Sequence, residues 1–158
     1  MSQFEKYHPI LTPHYAFDWL TKARAIDVFR LYETTATTAI DMPTVAAAIN
    51  QTMREIFRDQ KLLWGVTTRV NDTFIGKVGF DPIDLTTKQA TLRVNLFPAN
   101  QQDKVLTEIM TRLVAFGTAE LKLTDLTVTL PTNQPTFAKV LENLNFTTTD
   151  HHTYRYQK

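Results

Sequence analysis

Cysteine is absent from the 158-residue chain. That excludes disulfides, thiolate nucleophiles and Cys-type zinc sites. Glycine is scarce, with four in all, and no Walker loop, dinucleotide fingerprint or G-x-S-x-G turn occurs. Charge of one sign is not in excess. Seventeen Lys and Arg face sixteen Asp and Glu, a net charge of +1, so there is no electrostatic case for a nucleic-acid or membrane-surface partner. The longest purely apolar run, Val45 to Ile49, is far short of the ~20 residues of a membrane span. The first ten residues, MSQFEKYHPI, lack the apolar stretch of roughly 7–15 residues that marks a signal peptide. These absences predict a soluble cytoplasmic protein. Serine occurs once, at Ser2, while threonine is frequent; nothing in the sequence explains that bias.

What is present suits one domain over residues 1–158. Hydrophobic residues make up 43% and charged residues 21%, ordinary globular values that argue against disorder. At this length about 68–70% of the unfolded chain's surface can be buried, enough for a real core.

The periodicity predicts ten elements. Tyr15 to Leu20 read as a first strand. Thr21 is placed to cap a helix over Lys22 to Leu31, with Ala25, Val28, Phe29 and Tyr32 at helical spacing. Asp41 with Pro43 signals a second helix start. Its apolar face is Val45, Ala48, Ile49, Met53, Ile56 and Phe57. The period then falls to two. Leu62, Trp64, Val66, Thr68 and Val70 share one strand face, and Asn71-Asp72 makes a turn. Phe74, Gly76, Val78 and Phe80 share a face of the returning strand, with Asp81-Pro82 as its expected end. A third strand covers Gln89 to Phe97. After Pro98 a long amphipathic helix carries Val105, Leu106, Ile109, Met110, Leu113, Val114 and Phe116. Leu126, Val128 and Leu130 alternate in a strand. Asn133 is placed to cap a last helix with Phe137, Val140, Leu141 and Leu144 as its stripe, and Asn145 suits a left-handed terminus. Phe146 to Thr149 and His152 to Tyr156 close the chain as a strand or hairpin. The three central strands should pair antiparallel, and Gln89 to Leu130 should form a right-handed parallel crossover. The expected class is therefore α/β: a mixed, mostly antiparallel sheet with a central parallel pair and helices on both faces.

Several residues carry more than one meaning. His151 and His152 are adjacent, so on a strand they point to opposite faces and cannot chelate one ion; no metal is expected. Arg54, Arg58 and Lys61 read as a solvated helix face. Trp64, Phe74 and Phe80 read as core. Arg93 faces either solvent or a site, which alternation alone does not settle.

Three segments resemble the GNAT superfamily of acetyl-CoA-dependent N-acetyltransferases, closest to its Rim-type branch, which acetylates the N-termini of ribosomal proteins. Leu63-Trp64-Gly65-Val66 followed by Phe74-Ile75-Gly76-Lys77-Val78-Gly79-Phe80 looks like the family's central hairpin. Ala90 to Pro98 followed by Thr107-Glu108 looks like its cofactor strand and the start of its cofactor helix. Asn133, Thr136, Val140-Leu141-Glu142 and Leu144-Asn145-Phe146 look like its late N-x-x-S-x-x-x-V-L-E-K-L-G-F pattern.

The resemblance implies a GNAT-like fold. It also implies an acyltransferase that uses acetyl-CoA as cosubstrate and a primary amine, such as a protein N-terminus, as acceptor. It implies cofactor contacts from Val94, Asn95, Leu96, Gln102, Asp103, Lys104, Val105 and Asn133, and a catalytic hydroxyl at Thr136, where the pattern has a serine. Gln102 and Lys104 stand where the family's phosphate loop has glycines. Side chains there crowd the approach of a pyrophosphate; the backbone N–H groups remain, and Lys104 adds a cation. Thr91 stands where relatives often carry a carboxylate, and it cannot serve as a base. Simpler roles stay open: Asn133 as a helix cap, Thr136 as a first-turn helix residue, Asn100 to Lys104 as a solvated loop. A second reading is a GNAT-fold binding module without catalysis. Monomer and homodimer are both compatible with the sequence.

Overall fold

A computed structural model of the chain describes residues 3–130 and 134–158. Eight strands form one sheet in the order β1-β2-β3-β4-β5-β6-β8-β7. They are β1 (Ile10–Leu11), β2 (Tyr15–Asp18), β3 (Leu62–Thr68), β4 (Phe74–Asp84), β5 (Gln89–Leu96), β6 (Asp125–Thr129), β7 (Thr147–Thr148) and β8 (Thr153–Gln157). Four helices accompany them: α1 (Ala25–Glu33), α2 (Met42–Phe57), α3 (Asp103–Ala119) and α4 (Pro135–Asn143). Every neighbouring pair is antiparallel except β5 and β6, which run parallel across the α3 crossover. The expected class and the central parallel pair are therefore what the chain forms.

Local chemistry explains most of the boundaries. Asp41 is the N-cap of α2 and accepts a hydrogen bond from the Thr44 amide at 2.9 Å, with Pro43 in the first turn, a favoured start. Asn145 adopts a left-handed φ of 71° after α4, as an asparagine tolerates. The turn between β3 and β4 places Asp72 at φ 55°.

The N-terminal third departs from the expected pattern. The first strand stops at Asp18, and Leu20–Lys22 form a separate 3₁₀ turn. Thr21 lies inside that turn and caps nothing; α1 begins later, with Arg24 at the N-cap and no side-chain cap bond. A short strand, β1, precedes it and pairs with β2; two residues give too little periodicity to be read in advance. On α2 the buried residues are Val45, Ile49, Thr52 and Ile56, while Phe57 is exposed. Val70 is likewise exposed, because β3 ends at Thr68.

The face assignment of β4 also changes. Phe74 opposes Thr67 and Gly76 opposes Val66, so β4 carries one extra residue, a bulge. Ile75 joins Val78 and Phe80 in the main core, whereas Phe74 packs with α1 and α2 residues Val28, Leu31, Val45 and Ile49. A second irregularity lies between Phe80 and Ile83 and lets the strand run on through Asp81 and Pro82 to Asp84. The two apolar clusters anchor the helices. The main one includes Trp64, Phe80 and Phe116, whose rings meet at 5.5–6.3 Å, together with α3 and α4 residues. The smaller one holds α1 and α2 around Leu20 and Phe74. Gly79 sits at φ 151°, and a Cβ there would lie 2.0 Å from the Leu62 carbonyl. Only glycine lets β3 and β4 approach so closely at this point.

Candidate active site

The parallel pair β5 and β6 is joined only over its first residues. Gln89, Ala90 and Thr91 oppose Asp125, Leu126 and Thr127, and the hydroxyls of Thr91 and Thr127 lie 3.2 Å apart. Beyond Thr91 the strands separate. β5 keeps its ladder to β4 as far as Leu96, while β6 turns to β8. Between them opens a cleft of about 280 Å³. Its walls include Leu92 to Leu96 from β5, Val128 to Leu130 from β6, Gln134 and Phe137 at the start of α4, Gln101 and Leu106 near the start of α3, and Thr34 and Thr35 after α1.

The sequence-derived site residues fall into three groups. Val94, Asn95 and Leu96 line the cleft. Gln102, Asp103, Lys104 and Val105 form the N-cap and first turn of α3 and do not line it directly. Thr136 is exposed in the first turn of α4, between cleft residues Gln134 and Phe137. Asn133 lies outside the described residues, and the N-cap position of α4 falls on Gln134.

The α3 terminus offers hydrogen-bond donors. The first amide to bond back within the helix is Leu106, to the Gln102 carbonyl at 2.9 Å. The preceding N–H groups of Asp103, Lys104 and Val105 belong to the turn that a helix leaves unpaired. No side-chain cap bond comes from Gln102; its amide donates to the Ala99 carbonyl at 2.8 Å instead. Gln101 reaches into the cleft and donates to the Leu96 carbonyl at 3.0 Å.

Sequence reasoning missed a cationic cluster beside the cleft. Lys77 opposes Asn95, and Gly79 opposes Arg93, so Lys77, Asn95 and Arg93 occupy one sheet face. That settles the orientation of Arg93, which lines the cleft and whose Nε donates to the Asp81 carbonyl at 3.0 Å. Lys61 is not part of a solvated helix face. Its side chain is 15% exposed and bridges Glu55 at 3.3 Å and Asp81 at 3.2 Å. Burial works against its charge, but Asp81 and Glu55 win and hold its pKa above the ordinary lysine value. Lys77 is shifted the other way: burial lowers its pKa, Lys61 and Arg93 add to that, and Asp81 opposes it. The signal for Lys77 was visible as a charge inside the run Phe74-Ile75-Gly76-Lys77-Val78-Gly79-Phe80. Its surroundings were not.

A splayed parallel pair next to an uncapped helix start is suited to an extended ligand with an anionic end. The strand edge offers backbone partners and the helix start offers N–H donors. The family model of the Acetyltransferase (GNAT) domain matches residues 15–147. The chain belongs to the GNAT acetyltransferase family.

GNAT acetyltransferases use acetyl-CoA, and the solved structures with this fold agree with the assignment. A Vibrio cholerae protein proposed to be a ribosomal-protein-serine acetyltransferase is 15% identical, with 95% of this chain and 97% of that one covered and a TM-score of 0.78. The RimL ribosomal L7/L12 alpha-N-protein acetyltransferase is 10% identical, with 94% and 92% covered and a TM-score of 0.75. The Campylobacter jejuni N-acetyltransferase PseH, solved in complex with acetyl coenzyme A, is 16% identical, with 90% and 96% covered and a TM-score of 0.68. At these identities the likeness is one of GNAT fold. Comparison with curated protein sequences returns no match. Among the described residues no helix is long and apolar enough to cross a membrane.

Proposed function

We propose that this GNAT protein is an N-acetyltransferase that moves the acetyl group of acetyl-CoA to a primary amine, with a protein N-terminus as the first acceptor class to test. The observation that carries the reading is the separation of β5 from β6 beyond Thr91 and Thr127, which opens the cleft. The backbone of Val94, Asn95 and Leu96 would pair with the amide groups of the pantetheine arm as a neighbouring strand would. The amides of Asp103, Lys104 and Val105 would receive the pyrophosphate, with the Lys104 ammonium beside them offsetting the Asp103 carboxylate. Gln102, at the N-cap, and Asn133 complete the proposed contacts.

Bound acetyl-CoA supplies the thioester carbonyl. The neutral amine attacks that carbon directly, a C–N bond forms, the C–S bond breaks, and the electron pair leaves on sulfur. Backbone N–H groups in Val94 to Leu96 polarise the carbonyl oxygen as negative charge develops. Thr136 is proposed to donate its hydroxyl proton to the departing thiolate, with the proton lost by the amine returning through water. Among the described residues no Asp or Glu lines the cleft, so the amine gives its proton to solvent rather than to a carboxylate there.

The experiment is a thermal melt with and without acetyl-CoA. At 100 times its dissociation constant a ligand adds about 2.7 kcal/mol to stability, a rise of roughly 5–11 °C for a chain of this size. No rise at millimolar acetyl-CoA would favour the binding-module reading. Two observations give that alternative its weight: the glycine-free turn at Gln102 to Lys104 and the Leu96 carbonyl already engaged by Gln101.

A further inference from the structure

A second cavity of about 290 Å³ adjoins the cleft. Thr35 and Asn95 line both. An amine placed at the thioester therefore has room for the rest of its molecule past these two side chains. The walls of this second cavity are apolar on the helix side, with Leu31, Tyr32 and Ile40, and cationic on the sheet side, with Lys77. The Lys77 ammonium lies 4.7 Å from the centre of the Tyr32 ring. No carboxylate pairs with it among the described residues; the ion pairs nearby, Glu55 and Asp81, both belong to Lys61. The surroundings thus hold three cations, Lys61, Lys77 and Arg93, against two carboxylates already shared by one of them.

An ammonium held over an aromatic ring, partly desolvated and with no carboxylate in ion-pair contact among the described residues, is arranged to receive an anion. The same charge repels a polyamine. Resting on the acetyl-transfer reading, we propose that this cavity selects acceptors that carry a carboxylate near the amine to be acetylated, with Lys77 as the residue that binds it. Two sources share that chemistry: the carboxylate of a free amino acid, and an acidic side chain close to a peptide N-terminus. Burial lowers the pKa of Lys77, Lys61 and Arg93 add to that and Asp81 only partly offsets it, so an incoming carboxylate would stabilise its charge.

The test uses the wild-type chain, Lys77→Met and Lys77→Arg. Coenzyme A release from acetyl-CoA is measured with L-glutamate, the C-terminally amidated peptides Ala-Glu-Ala-Ala and Ala-Gln-Ala-Ala, and spermidine. The expected result is a kcat/KM for an anionic acceptor about tenfold or more above that for the neutral peptide and for spermidine. Lys77→Met should raise KM for the anionic acceptor by about tenfold or more, and Lys77→Arg should restore most of the preference. The thermal shift with acetyl-CoA should be the same in all three proteins. Whether L-glutamate or Ala-Glu-Ala-Ala is preferred identifies the source of the carboxylate. A kcat/KM for both L-glutamate and Ala-Glu-Ala-Ala no higher than for the neutral peptide, a preference for spermidine, or an intact preference in Lys77→Met would overturn the proposal. If acetyl-CoA gives no thermal shift, the acetyl-transfer reading fails by itself. Calorimetric titration of L-glutamate and Ala-Glu-Ala-Ala then still decides the anion site: binding lost in Lys77→Met supports it, and absent or unchanged binding refutes it.

Discussion

Thr136 lies between Gln134 and Phe137, which both line the cleft, yet its own side chain is exposed. The proposed acid is thus an exposed hydroxyl at the rim of the cleft. Thr136→Ala should lower kcat by about a hundredfold, the lower end of what a positioned acid supplies, while KM for acetyl-CoA changes little. Steady-state kinetics checks it, and full activity would remove Thr136 from the chemistry. Other residues show how far a side chain's neighbours decide its meaning. Lys61 looked like one more cation at a helix end, but it is a nearly buried clamp between Glu55 and Asp81. Phe74 looked like a partner of Val78 and Phe80, but the bulge in β4 sends it to the α1–α2 cluster.

The elements are held in place by polar staples as well as by apolar faces. On α3, Glu108 accepts from the Thr12 hydroxyl at 2.5 Å and the His14 amide at 2.8 Å, and its other oxygen lies 2.7 Å from His14 Nδ1. These contacts tie α3 to the loop between β1 and β2. Burial works to raise the Glu108 pKa, but the hydrogen bonds from Thr12 and His14 outweigh it and lower the value. A carboxylate with a depressed folded pKa contributes stability above its unfolded pKa, near pH 4.3 for glutamate, and loses it as pH falls through the folded value. Glu108→Ala should therefore destabilise the chain by about 1.5–3 kcal/mol at neutral pH. The gap to wild type should narrow below about pH 4.3. Denaturant melts at pH 7 and pH 3.5 test this, and a gap independent of pH would mean the carboxylate charge is not what matters.

In the whole molecule the separation of β5 and β6 is a deliberate gap in an otherwise continuous sheet. Alternation turns every other amide between Leu92 and Leu96 away from β4, and the pairing of β5 with β6 stops at Thr91 and Thr127. Amide exchange monitored with and without acetyl-CoA should show new protection at those amides and at Asp103, Lys104 and Val105, with little change in β3 or β8. Protection spread evenly over the sheet would instead report global stabilisation and argue against a ligand seated in this gap.

The sequence by itself determined the helix and strand order from β2 onward, the caps at Asp41 and Asn145, and the parallel crossover, because each rests on local periodicity or backbone preference. It also carried the motifs that resemble GNAT proteins. Only the tertiary structure decided that Leu92 to Leu96 face an open cleft, that Gln101 occupies the Leu96 carbonyl, and that Lys77, Arg93 and Asn95 share one face. The reason is physical. Register, bulges and strand separation arise from pairing between residues far apart in the chain, and a one-residue bulge moves a side chain from one core to another without leaving any mark in its own periodicity.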